Sequence, residues 1–298
     1  MTQSPLLPKL LPDFIKVIRG KNQMKTPIMS LLLLTAPLVS AQAASFDLTD
    51  NNSEIRVDDR NGITIWYVDG SPDNVFLSNY YYRIGLTGNE SPFFDGLGTP
   101  TVTQQTGNQL ELTYTGMELQ AVVNYELLGG DLGSSRSFID KSVTLTNLSG
   151  QNLDFHLFDY SDFDIKFDQA NQKDQAIALD FGTIILNSAT KPLSILTQVS
   201  PTPSHYEIAD FVTLYNKFFN DLDGPTTLPD NPSLNVPFPI PPSDNTFAFQ
   251  WDFNLNAGES VTFNSQFNYA PVPEPSSLFS LISLGIFGGI SLTRRVKQ

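Results

Sequence analysis

At 298 residues the chain is long enough for one large domain or two small ones, and 40% hydrophobic with 16% charged residues makes it globular rather than disordered. Its net charge of −14 concentrates in the middle: residues 44–273 hold nine basic and 29 acidic side chains, a surface that repels nucleic acid and anionic lipid. There is no cysteine, which excludes disulfides, thiolate metal sites and cysteine nucleophiles.

The first element is an export signal. Lys25 gives a positive start, residues 28–39 an apolar run, and Ala41-Gln42-Ala43 a small-x-small cleavage site, so residues 1–43 read as a signal peptide cleaved after Ala43. The 23 residues before Met24 are long for such a signal, so translation starts at Met24 or the leading segment is extended.

Residues 44–270 read as one exported domain of strands. Period-two alternation recurs in "ITIWYVDG", "NQLELTYTG", "MELQAVVNYELLGG", "KSVTLTNLSG" and "LDFHLFDYSDFDIKF", with turn residues about every ten positions, the spacing of an antiparallel β-sandwich. In "NYYYRIG", Tyr80 and Tyr82 share a face and suit either cross-strand packing or a glycan platform; packing is the commoner use. In "DFHLFDYSDFDIKFD", one strand face would carry His156, Phe158, Tyr160, Asp162, Asp164 and Asp168. Asp162 and Asp164, ~7 Å apart on such a strand, are candidate Ca²⁺ ligands or a carboxylate pair, with Tyr160 stacking on a sugar. The plainer reading is the wet face of a half-exposed strand in an acidic protein. A zinc site would need both histidines, His156 and His205, plus a carboxylate, and isolated histidines of this kind are usually hydrogen-bonded structure.

Helical spacing interrupts the strands once. Ile208, Phe211, Val212, Tyr215, Phe218, Phe219 and Leu222 predict one amphipathic helix near residues 208–220, lying on the sandwich and stopped at Asp223-Gly224-Pro225. "NDLDGP" fails as an EF-hand, because its glycine would put Phe219 where an Asp is required. A proline-rich loop or flap follows to residue 242. In "TFAFQWDFNLNAGESVTFNSQFNY", two alternating runs around Asn256-Ala257-Gly258-Glu259 predict a hairpin with one apolar face.

Residues 276–293 carry no charge; as a helix of ~1.5 Å per residue they would span ~27 Å, enough for a marginal transmembrane helix. Arg294, Arg295 and Lys297 follow, and the positive-inside rule keeps them cytoplasmic with the body outside. Val272-Pro273-Glu274-Pro275, the apolar helix and the basic cluster together resemble the PEP-CTERM sorting signal of Gram-negative bacteria and cyanobacteria. The resemblance implies an exosortase-type membrane protease as partner, transient inner-membrane anchoring through the tail, and release to the periplasm, cell surface or medium in organisms that make exopolysaccharide.

The body, through "FHLFDYSDFD" and "FAFQWDFNLNAGES", is similar to exported domains found ahead of such tails, some of which resemble the large two-sheet supersandwich of galactose mutarotase-like proteins. That likeness carries no catalytic residue onto this chain. No nucleophile elbow, metalloprotease motif or phosphate loop is present. The expected function is therefore a non-catalytic surface or matrix protein without a cofactor. The alternative is a carbohydrate-binding or carbohydrate-active domain, with exopolysaccharide as the candidate partner.

Overall fold

The computed structural model describes residues 43–165, 174–219, 225–230 and 243–272. The chain begins with β1 (Ser45–Asp50), β2 (Ser53–Asp58), β3 (Gly62–Val68) and β4 (Leu77–Ile84), then the short β5 (Ser91–Pro92) and a single helical turn, α1 (Phe93–Leu97). A meander follows in β6 (Thr101–Gln105), β7 (Gln109–Thr115), β8 (Leu119–Gly129) and β9 (Ser137–Asn147). After β10 (Leu153–Asp162) come β11 (Asp174–Asp180), β12 (Thr183–Ser188), β13 (Leu193–Ser200), β14 (His205–Asp210), helix α2 (Phe211–Phe219), β15 (Asn245–Leu255) and β16 (Ser260–Pro271).

These strands make two antiparallel sheets packed as a sandwich. The first runs β1-β2-β3-β4-β10-β15-β14 with β5 on β4; the second runs β11-β12-β13-β16-β9-β8-β7-β6. Period-two patterning decides which side chains meet between them. In β8 the inward set is Leu119, Ala121, Val123, Tyr125 and Leu127; in β9 it includes Ile139, Val143 and Leu145, but also Lys141. Trp66 on β3 crosses to the second sheet, its ring 5.8 Å from that of Tyr269 on β16 and its Nε1 donating to Ser137 Oγ at 3.0 Å.

The expected hairpin of the last two strands is not formed. β15 lies between β10 and β14 in the first sheet, and β16 between β9 and β13 in the second. Glu259 N donates to Asn256 O at 2.9 Å, and Gly258 takes φ 75°, so the expected turn is present. It delivers the chain across the sandwich instead of back alongside itself. The two apolar faces therefore meet through side chains, with Trp251 and Phe253 at 5.2 and 5.1 Å from Phe263. An alternating face satisfies either arrangement, because both bury it.

The predicted helix is shorter than its apolar spacing. Ile208 is opposite Phe247 in the β14–β15 pair, and the helix begins only at Phe211. Asp210 caps it, accepting from Thr213 N at 3.2 Å and from Thr213 Oγ1 at 2.7 Å. Leu214 and Phe218 are its buried face, lying on the outside of the first sheet against Tyr81, Phe158, Tyr160 and Ala248. Leu228 joins the same cluster, its N–H bonded to Gln250 Oε1 at 2.8 Å. The buried pair Arg83–Glu90 anchors Thr226 there, through Arg83 Nη1 to Thr226 O at 3.0 Å and Thr226 N to Glu90 Oε1 at 2.8 Å. β10 and much of β15 are thus covered on both faces.

Candidate functional site

The sequence places Asp162 and Asp164 on one wet strand face; the structure does not. β10 ends at Asp162, and the next residue, Phe163, enters the core against Trp66, Phe247 and Phe267. Register pairs Asp162 with Thr246, so Asp244, two residues before Thr246, arrives at the same end of the sheet. One carboxylate oxygen from each of Asp162, Asp164 and Asp244 lies within 4.8 Å of the others. Asp162 is 2% exposed. Its Oδ1 and that of Asp244 are buried without a hydrogen-bond partner, while Tyr160 reaches Asp162 Oδ2 only at 3.5 Å. Among the described residues, no ion pair includes any of the three.

Burial and mutual repulsion raise these carboxyls. Desolvation, then Asp244, Asp164 and Asp174, push Asp162 up to about 9. Asp174, which is bridged to Ser243, is pushed up to about 8 by desolvation and then by Asp164 and Asp244. Desolvation, Asp244 and Asp73 bring Asp164 to about 6; desolvation and then Asp210 raise Asp244. A folded-state value above the unfolded one means that the native protein holds protons the unfolded chain releases. The associated stability is complete below the unfolded value of 3.8 and is lost as pH rises through 6, 8 and 9. In chelator, the melting temperature should fall by about 5 °C or more between pH 5 and pH 9. A flat or rising profile over that window would contradict this arrangement of charges.

A second group gathers both histidines. His156 Nδ1 on β10 is 2.5 Å from Asp252 Oδ1 on β15, and His205 Nε2 on β14 is 3.5 Å from Asp252 Oδ2. Gln250 donates to Asp252 Oδ1 at 2.7 Å, and His205 Nδ1 also faces Asp230 at 3.2 Å. Both rings thus share Asp252 of the adjacent strand β15, and His205 has Asp230 as well.

Inside the sandwich lies a buried ion pair. Lys141 on β9 is wholly buried, with Nζ 2.6 Å from Asp159 Oδ1 on β10 and 2.9 Å from Ser78 Oγ on β4. Ser265 bonds the other Asp159 oxygen, and the ammonium sits over the Tyr80 ring at 4.2 Å. Desolvation lowers the Lys141 value. With Asp159 itself 1% exposed, the pair bridges the sheets out of reach of any solute.

The outer face of the second sheet carries a shallow groove of about 300 Å³ lined by Gln104, Gln109, Glu111, Asn124, Asp140 and Asn264. Its lining is mostly amides and carboxylates.

Tyr160 is fully buried beneath Phe218 and Phe219, so its ring offers no face to a sugar. Tyr80 points into the core, and Tyr82 stacks on Phe93 and Phe155. Of the sorting and cleavage residues, Val272 and Ala43 are described. Ala41, Pro273, Glu274, Pro275, Arg294, Arg295 and Lys297 lie outside the described residues, as do Asp168 and residues 220–224 of the failed EF-hand. Sequence reasoning passed over Asp244, Asp252 as a shared histidine partner, and the Lys141–Asp159 pair. Lys141 did leave a trace, as a charged residue at an inward position of "KSVTLTNLSG".

The family model for the PEP-CTERM protein-sorting motif matches residues 271–295. None of the curated proteins matches the chain. Among solved structures, the Slr1438 protein of Synechocystis sp. PCC 6803 is 11% identical at a TM-score of 0.51, over 78% of this chain and 97% of that one. A bacterial glucoamylase complexed with acarbose is 11% identical at a TM-score of 0.49, over 83% of this chain and 36% of that one. The GalM/aldose epimerase homologue from C. elegans is 6% identical at a TM-score of 0.44, over 78% of this chain and 100% of that one. At such identities the likeness to Slr1438 bears on fold alone.

Proposed function

We propose that this chain, an exported protein bearing a PEP-CTERM sorting motif, serves as a non-catalytic surface or matrix component. On this reading an exosortase-type membrane protease processes it near Pro273-Glu274-Pro275. One observation carries the proposal. The motif begins at residue 271, where β16 ends, with Pro271 still opposite Leu193 and Val272 N bonded to Pro192 O at 2.9 Å. Cleavage at Pro273-Glu274-Pro275 would remove none of the described strands, so the protease would release the sandwich with both its sheets intact. The Lys141–Asp159 pair is itself excluded from any turnover, since a nucleophile or base must reach its substrate.

The groove on the second sheet supports a second reading, in which the body binds a neutral polysaccharide. Amides there offer both donors and acceptors, matching sugar hydroxyls.

Fractionation with antibodies to body and tail tests the proposal. Glu274→Gln should leave full-length protein anchored and uncut. Joint replacement of Arg294, Arg295 and Lys297 by Ser should let the uncut tail slip outward. Parent-like processing of both variants would overturn the sorting role. Glycan binding lost on Asn124→Ala with Asn264→Ala would favour the second reading. Turnover of any sugar by the purified chain would end the non-catalytic one.

A further inference from the structure

We propose that Asp162, Asp164 and Asp244 together bind one Ca²⁺, which ties the end of β10 to the start of β15. The assignment is independent of how the protein is sorted. Three features carry it. The first is convergence: oxygens within 4.8 Å of one another fit around one ion at ~2.3–2.6 Å from each. The second is bareness. A carboxylate on a residue 2% exposed normally finds hydrogen-bond donors, yet Asp162 Oδ1 has none, and Asp244 Oδ1 is equally bare. The third is the lack of a described counter-ion: among the described residues no basic side chain forms an ion pair with any of the three.

The donors choose the ion. All are hard oxygens, which suit Ca²⁺ or Mg²⁺ and not a zinc site built on nitrogen or sulfur; the two histidines are engaged with Asp252 instead. Ca²⁺ accepts irregular sets of carboxylates and carbonyls, whereas Mg²⁺ demands near-octahedral geometry and sheds water reluctantly. Here the ligands come from a strand end, the loop beyond it and the residue before a second strand, so no single rigid element sets their mutual geometry. With three carboxylates and an exported setting, the expected Kd is on the order of 10⁻⁴ M.

The test uses the full chain, purified in mild detergent and stripped with chelator. Ca²⁺ at about 5 mM should raise the melting temperature by about 5 °C or more, and Mg²⁺ at the same concentration by much less. Calorimetric titration should show one Ca²⁺ per chain. Asp162→Asn, Asp164→Asn and Asp244→Asn should each weaken binding about tenfold or more while keeping the chelated protein's melting temperature near the parent's. Asp164→Asn and Asp244→Asn, on the two members less buried than Asp162, guard against a folding defect. Tb³⁺ adds a local readout, because Tyr160 lies beside Asp162 and should sensitise its emission. No Ca²⁺ response in the parent would overturn the proposal. So would parent-like binding in the variants, or an equal response to Mg²⁺.

Discussion

Replacing Asp159 by alanine is expected to destabilise the body by about 3–5 kcal/mol, the cost of stripping a partner from a buried charge. Lys141 is 0% exposed and would keep only the Ser78 hydroxyl, at 2.9 Å, among the two partners its ammonium now has. The rings of Tyr80 and Phe267, at 4.2 and 5.2 Å, cannot replace a carboxylate. Ser265 would lose its acceptor in the same step. Lys141→Met with Asp159→Leu should recover most of the loss, because the pair's attraction is offset by the cost of taking both ions out of water. Urea unfolding of the two variants reads both quantities. A loss below about 1 kcal/mol in Asp159→Ala would mean that water reaches the ammonium.

Trp66→Ala should be comparably damaging, about 3–5 kcal/mol, for a different reason. Its indole fills space between the sheets, edge-on to Phe163 at 6.0 Å and Tyr269 at 5.8 Å, and satisfies Ser137 with its N–H. Alanine would leave a cavity bounded by two sheets whose backbones are fixed by their own ladders, so collapse is limited. Trp66→Phe keeps most of the volume and loses the hydrogen bond, at about 1–2 kcal/mol. Circular dichroism should follow both, since the substitution removes one of the chain's two tryptophans. An alanine variant as stable as the phenylalanine one would show that the site closes over the void.

What the sequence made legible follows from the range of the forces involved. Alternation is local, so β3, β7, β8, β9 and β10 were readable from their own residues. The tail motif is local too, and its match at residues 271–295 needed no fold. Pairing is not local. Phe247–Leu255 and Val261–Tyr269 alternate identically whether the strands bond to each other or face each other across a core, and the sequence could not choose. Ile208 failed as a helix residue because its apolar spacing serves β14, where it pairs with Phe247. The acidic site shows the same limit. Asp162 was visible, but its burial, beside a Tyr160 that α2 covers, comes from tertiary packing. Asp244 joins it only through the register of β10 on β15.

The place where β16 leaves the body has a mechanical consequence. From Ser260 to Tyr269 it is bonded to β9, and from Asn264 to Pro271 to β13, so the chain departs from an interior strand. A pull drawn along that strand from residue 272 would load the bonds on both flanks at once, in shear. An edge strand such as β6 or β11 would instead peel from its single neighbour one bond at a time. A body tethered by this end can be dragged by flow or by a growing polymer while the grip is shared across the middle of the sheet.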